Sequence, residues 1–269
     1  VDRSASRFGV ALRRPTQDLI ERLDEDARVA GVLLRGSAAL GRSVPTSDDD
    51  LIVVLGECDQ QSIGRSDRRL AITVPRGPGT VVVSDVVIRT IDELEELERS
   101  CADTDRWPFE QARLITSRDP RLTTLLRRLV SMDAQFREER LVHALLDVVI
   151  AVDQARRCSA RGSTAEERLI VVRGARALCR ALFALEWRWV PLDQWTTYGL
   201  STLLDRANCS SLIAEALQEQ SWRPLLVAER RLRQVLPELV PSRAWNREAL
   251  WSVMRGPDAR RQRALHGLC

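Results

Sequence analysis

Residues 31–55 read GVLLRGSAALGRSVPTSDDDLIVVL, and this stretch decides the fold. Gly31-Val32-Leu33-Leu34 is an apolar run with the look of a strand, and it leads straight into Gly36-Ser37. A small-residue segment with Gly41 follows, then a Pro-Thr-Ser turn, then Asp48-Asp49-Asp50, which runs unbroken into a second apolar run, Leu51 to Leu55. The order is therefore strand, glycine turn, short helix, loop, and carboxylates entering a strand. Alternate side chains of a strand share a face, so Asp48 and Asp50 point one way and Asp49 the other. Two carboxylates about 7 Å apart along a strand can share a pair of divalent cations, the arrangement two-metal phosphoryl chemistry requires.

Working outward, residues Pro15 to Arg28 have helical character, with Pro15 suited to a first turn and Leu19, Ile20 and Leu23 forming an apolar stripe. Gly56 to Arg69 is polar, carries Arg65, Arg68 and Arg69, and reads as a loop. Leu70 to Val74 is a short strand, and Pro75 to Gly79 is a hairpin connection. Thr80 to Thr90 is the longest β-branched run, with Asp85 at its centre. An acid inside a buried strand is costly unless it is paired or holds a cation, which makes Asp85 a candidate site residue. The acids from Asp92 to Glu98 begin a helix whose solvated face carries favourable charge near its N-terminus.

Gly36-Ser37, then Ser47-Asp48-x-Asp50 before an apolar strand, resembles the signature of the DNA polymerase β-like nucleotidyltransferase superfamily. Its small-molecule branch, with the aminoglycoside nucleotidyltransferases and their minimal relatives, is the nearest in pattern. The resemblance implies an α/β (α+β) head with a mixed sheet and an all-α C-terminal domain. It implies that Asp48, Asp50 and Asp85 are catalytic and hold two Mg²⁺ ions, Asp85 being either part of the metal cage or the base for an acceptor hydroxyl. It further implies that Gly36, Ser37, Arg42 and Ser47 bind ATP or another nucleoside triphosphate.

Past Asp103 the pattern changes. Trp107-Pro108-Phe109 reads as an irregular junction, a helix starts at Pro120 or Arg121, and helical periodicity prevails beyond it. The expected domains are residues 1–119, a nucleotidyltransferase-like head, and 120–269, a helical substrate-binding tail. Helices are expected over Phe136 to Cys158, Ala165 to Trp189, Asp193 to Arg206, Ser210 to Gln220, Pro224 to Leu236 and Asn246 to Leu265. Six tryptophans (Trp187, Trp189, Trp195, Trp222, Trp245 and Trp251) gather in the tail. Trp187, Trp189 and Trp195 either wall a cleft where a base or acceptor stacks, or are helix packing and a hydrophobic corner. His143 lies on an apolar helix face and reads as a packed core histidine.

Composition sets limits on these readings. All 41 Lys+Arg residues are arginine, so a side chain that grips phosphate here is an arginine fork or a hydroxyl. Arg42, Arg173 and Arg180 are candidates for a pyrophosphate clamp, with nothing to choose among them. A net charge of +3 argues against long nucleic acid as a partner, although a local basic cleft would not show in the total. The six scattered cysteines, without a Cys-x-x-Cys pair, and the two distant histidines, His143 and His266, argue against a zinc site and for reduced thiols in the cytoplasm. No membrane span or signal segment is expected. The expected activity is Mg²⁺-dependent transfer of a nucleoside monophosphate, AMP from ATP, to a small-molecule hydroxyl such as that of an aminoglycoside-like antibiotic or a metabolite. Transfer to a protein or RNA end, and a non-catalytic regulatory or antitoxin-type module, are the alternatives; a homodimer is left open.

Overall fold

The computed structural model describes residues 3–5, 9–56, 68–76 and 79–239. The helix expected over Asn246 to Leu265, with Trp245 and Trp251, lies outside the described residues, as do Cys58, His266, Cys269 and nearly all of the Gly56 to Arg69 loop with Arg65. Contacts divide the chain into two compact units, Val1–Ser100 with Pro108–Val130, and Cys101–Trp107 with Ser131–Cys269.

The first unit opens with a small hairpin, β1 (Arg3–Ala5) and β2 (Ala11–Arg13), followed by α1 (Arg14–Glu25). Pro15 sits in the first turn of α1, where a missing N–H costs no helical hydrogen bond. Then come β3 (Val29–Arg35), the one-turn α2 (Gly36–Ala39), β4 (Asp49–Leu55), β5 (Arg69–Arg76), β6 (Gly79–Thr90) and α3 (Ile91–Glu98). Thr90 and Glu93 close a reciprocal capping box at the start of α3, fixing where the long strand ends. After α4 (Asp103–Glu110), β7 (Arg113–Ser117) and α5 (Arg121–Val130) complete the unit. The five-stranded sheet has the order β5-β6-β4-β3-β7, with β4 and β6 parallel and the other neighbours antiparallel.

Period-two alternation sorts the strand residues onto two cores. Leu12 and Ile20 pack with Val32, Leu34, Leu51, Val53 and Val86 on one face, and α1 covers them. Leu33, Ile52 and Val54 pack with Leu94, Leu122, Leu125 and Leu129 on the other face, under α3 and α5. The expected division at residues 119 and 120 falls within the first unit, just before α5. α5 belongs with the sheet because its apolar stripe is buried against β3 and β4, so a single cut in the chain does not separate the units. Two further differences concern local structure. Trp107-Pro108-Phe109, read as an irregular junction, lies inside α4 despite Pro108; acids at 103 and 105 favour the first turn of that helix. β7, an edge strand of half-exposed residues, has too weak an alternation to be read from sequence.

The second unit contains α6 (Ala134–Ala160) and α7 (Thr164–Leu185), a 3-10 turn Asp193–Trp195, α8 (Thr196–Ser201), α9 (Ser210–Glu219) and α10 (Arg223–Leu239). Gly174 permits their close approach, since a Cβ there would lie 2.7 Å from Leu225 Cδ1 and 2.9 Å from Ala151 Cβ. α7 stops at Leu185, short of the expected Trp189. Trp187 adopts φ 61° while Arg188 N donates to Phe183 O at 2.9 Å, the hydrogen-bond pattern that closes a helix. The Arg137 guanidinium lies 4.4 Å over the Trp187 ring and donates to the terminal carbonyl of Ala184 at 2.7 Å, supporting that end. The expected helix from Asp193 to Arg206 is cut to α8. No helix among the described residues is long and apolar enough to cross a membrane.

Candidate active site

Three strands meet in one row. β3 pairs Arg35 with Asp50 of β4, and β4 pairs Asp50 with Asp85 of the parallel β6. Paired residues share a face, and neighbouring strands are about 5 Å apart, so an arginine and two acids line up across the sheet. Asp48 lies two residues before Asp50. Gly36 is the first residue of α2, immediately after Arg35, at φ 67°, and a Cβ built on it would lie 2.1 Å from Asp50 Oδ2. Only glycine gives both that backbone conformation and that approach, so the Asp50 carboxylate rests against bare backbone.

The electrostatics follow from this crowding. Burial, then the neighbouring Asp48, push the Asp50 carboxyl up to about 6; Asp85 and Asp49 add to the rise and Arg35 opposes it. Asp85 is itself buried and is held by a fork from Arg69, Nε to Oδ1 at 3.0 Å and Nη2 to Oδ2 at 2.7 Å. The Arg69 side chain is 75% exposed, so the fork approaches from the solvent edge of β5.

Asp49 serves the opposite face. Its side chain is fully buried, and its Oδ2 accepts from the Arg13 backbone N–H at 3.0 Å and from the Thr16 hydroxyl at 2.7 Å. Ser84, its register partner on β6, lies 2.6 Å from the same hydroxyl. Arg13 Nη2 donates to the carbonyls of Pro45 and Ser47, tying the loop before β4 to the start of α1. The middle acid therefore anchors the strand, and the two that flank it are presented on the other face.

The candidate residues are placed unequally. Gly36, Asp48, Asp50 and Asp85 come together. Ser37 is buried, with its hydroxyl 3.4 Å from that of Ser43, and Ser47 Oγ accepts from the Val44 N–H within its own loop. Arg42 is exposed on the loop after α2. Of the tail arginines, Arg180 is engaged with Asp147 at 2.8 Å inside the helical unit. Trp189, 2% exposed, stacks on Phe136 with centroids 5.5 Å apart beside Trp107 and Met132, so it is core and offers no open ring face. His143 is buried, as a core histidine should be. Sequence reasoning passed over Arg35 and Arg69 as site residues; an arginine immediately before Gly-Ser, and one opening the strand beside Asp85, were the available signals.

Among the described residues no group of three or more His, Cys, Asp or Glu side chains stands ready to hold a metal ion. In the row, each oxygen of Asp85 accepts from Arg69. The remaining pair, Asp48 and Asp50, fits a hard cation, because burial and the neighbouring Asp48 raise the cost of ionising Asp50 and a cation would relieve it. With Arg69 withdrawn, Asp85 would join them.

Among solved structures, the chain is similar to a nucleotidyltransferase-like protein from Exiguobacterium sibiricum 255-15, at 14% identity and a TM-score of 0.46, covering 90% of this chain and 79% of that one. A likeness at that level assigns no residue a role. No family model matches the sequence. No curated protein matches it.

Proposed function

We propose that the sheet unit is a nucleotidyltransferase that passes a nucleoside monophosphate, with AMP from ATP as the expected case, to a hydroxyl of a small molecule such as an aminoglycoside-like antibiotic or a metabolite. The observation that carries this reading is the row Arg35–Asp50–Asp85, with Asp48 upstream and the Gly36 backbone against the Asp50 carboxylate. In the reaction the acceptor oxygen forms a bond to the α-phosphorus, the bond from that phosphorus to the bridging oxygen breaks, and pyrophosphate leaves. The row has two ends that suit the two partners. The glycine turn lies on the β3 side of Asp50, where the missing side chain makes room for the carboxylate that would face the triphosphate. Asp85 lies on the β6 side, where its carboxylate would orient the acceptor hydroxyl and receive its proton. Mg²⁺ held by Asp48 and Asp50 would supply charge neutralisation on the triphosphate and acidify the acceptor hydroxyl. Arg35 moderates the negative charge of the row, and Arg69 holds Asp85 until the acceptor side is occupied.

The fork of Arg69 on Asp85 favours one second reading, a nucleotide-binding module in which that carboxylate is permanently spent and no chemistry follows. Calorimetric titration with a non-hydrolysable ATP analogue, with and without Mg²⁺, tests the site on the native chain and on Asp48→Asn/Asp50→Asn. Mg²⁺-dependent binding that disappears in the double variant supports the site. Binding indifferent to metal, or absent from both proteins, overturns it. Mg²⁺-dependent ATP consumption in an acceptor screen then separates the enzyme from the module.

A further inference from the structure

The helical unit contains a cavity of about 320 Å³ that the sheet site does not use. Arg176, Cys179 and Arg180 from one face of α7 line it, with Asp103 at the start of α4 and the corner residues Asp193 and Gln194. Its charges are arranged in three pairs. Arg180 Nη2 donates to Asp147 at 2.8 Å, Arg176 Nη2 reaches both oxygens of Asp193 at 2.9 Å, and the fully buried Arg140 donates to Asp103.

These pairs leave a surplus on one side. A guanidinium carries five N–H donors. Arg180 has a side chain only 9% exposed, and its Nε has no hydrogen-bond partner; Nε and Nη1 of Arg140, behind it, have none either. Asp103, by contrast, is satisfied on both oxygens, accepting from the Val190 N–H at 2.8 Å as well as from Arg140. Burial holds the Arg180 pKa below its ordinary value, a sign that the cation is undercompensated where it stands. Buried donors without acceptors call for an explanation. The outermost pair is also the weakest, since the Arg176 and Asp193 side chains are 62% and 79% exposed, and an exposed ion pair contributes little.

We propose that this cavity binds a small molecule bearing a carboxylate or phosphate group, which takes Arg176 from Asp193 and rests against Arg180. An oxyanion is acceptor-only and matches a guanidinium fork, so it can take the Arg176 donors now spent on an exposed carboxylate and lie beside the Arg180 cation. The proposal does not depend on the nucleotidyl-transfer reading.

Two probes, inorganic phosphate and succinate, distinguish the two sources of the anionic group. Each is titrated calorimetrically into the full chain in EDTA, against chloride at matched ionic strength. Saturable binding of one probe or both is expected, with the tighter one naming the source. Arg176→Gln should weaken it about tenfold, as the loss of a charge-assisted hydrogen bond does. Asp193→Asn should strengthen it about threefold by removing the internal competitor. Both positions are exposed, so neither variant threatens folding as Arg180→Gln would by stranding Asp147. No saturable binding beyond chloride, an affinity unchanged in Arg176→Gln, or one that Asp193→Asn fails to raise overturns the proposal.

Discussion

Replacing Asp50 with asparagine should make the metal-free protein more stable at neutral pH while disabling the site. Asp50 titrates at about 6 in the fold against an ordinary 3.8, because burial and the nearby Asp48 oppose its ionisation. A carboxyl raised in the folded state contributes stability that is complete below 3.8 and is lost as pH rises through about 6. Above that window the folded protein carries the whole cost of the buried charge. A shift of this size corresponds at most to about 3 kcal/mol, and partial exposure screens it, leaving about 1–2 kcal/mol. Asn keeps the shape and removes the charge, so Asp50→Asn should gain that amount at pH 7.5 and nothing at pH 4. Urea unfolding of both proteins in EDTA at the two pH values measures the difference. An Asn variant less stable than the native chain at pH 7.5, or one with the same advantage at both pH values, would refute the crowding of charge on this face.

The neighbouring acid should behave in the opposite way. Asp49→Ala strands the Arg13 N–H in the core, leaves the Thr16 hydroxyl with Ser84 alone, and should cost about 1–3 kcal/mol in the same urea assay; a loss below about 1 kcal/mol would contradict its anchoring role. Gly36→Ala should lower stability by about 1–2 kcal/mol from the left-handed backbone alone, and should push the Asp50 carboxylate aside, abolishing Mg²⁺-dependent nucleotide binding by calorimetry. Retained binding would show that the contact between Gly36 and Asp50 is immaterial. Arg69→Gln should cost about 1–3 kcal/mol, because it removes two charge-assisted hydrogen bonds from the buried Asp85 carboxylate. It should tighten Mn²⁺ binding, followed by electron paramagnetic resonance, because both Asp85 oxygens are released; unchanged or weaker binding would show that Asp85 is not held in reserve for a cation.

The carboxylate row was legible because strand geometry is local and periodic. An apolar run following Asp48-Asp49-Asp50 fixes which acids share a face, and a lone acid within Thr80 to Thr90 has few ways to be tolerated. The neutralising partners were not legible. Arg35 and Arg69 come beside Asp50 and Asp85 through lateral pairing of β3, β4, β5 and β6, and register between strands is not written in any one of them. Among 41 arginines, nothing in sequence marks the two that lie beside the acids. The same limit applies to the packing of helices. α5 looks like the first helix of the tail, since its periodicity matches that of α6, and only the exposed apolar face of the sheet determines where Leu122, Leu125 and Leu129 are buried. The end of α7 was misjudged for another reason: a left-handed residue closing a helix is usually glycine, and here Trp187 takes the position with Arg137 stacked on its ring.

These cases share one physical pattern. Charge in this protein is settled across elements. In the sheet unit Arg69 answers Asp85 from the adjacent strand, while Asp49 is answered by α1 and the end of β2. In the helical unit Arg180 on α7 answers Asp147 on α6, and Arg140 on α6 answers Asp103 at the head of α4. In a chain without lysine, the carboxylates of Asp85, Asp147 and Asp103 are each met by a guanidinium, a group that can also bind phosphate. Every such pair is therefore a candidate for exchange with an oxyanion, and exposure decides which pairs can exchange. Arg69 and Arg176 lie at the solvent edge and are free to change partners, whereas Arg140, sealed from solvent, is not. Of the paired arginines at the sheet site and at the helical cavity, these are the exposed ones, one in each unit.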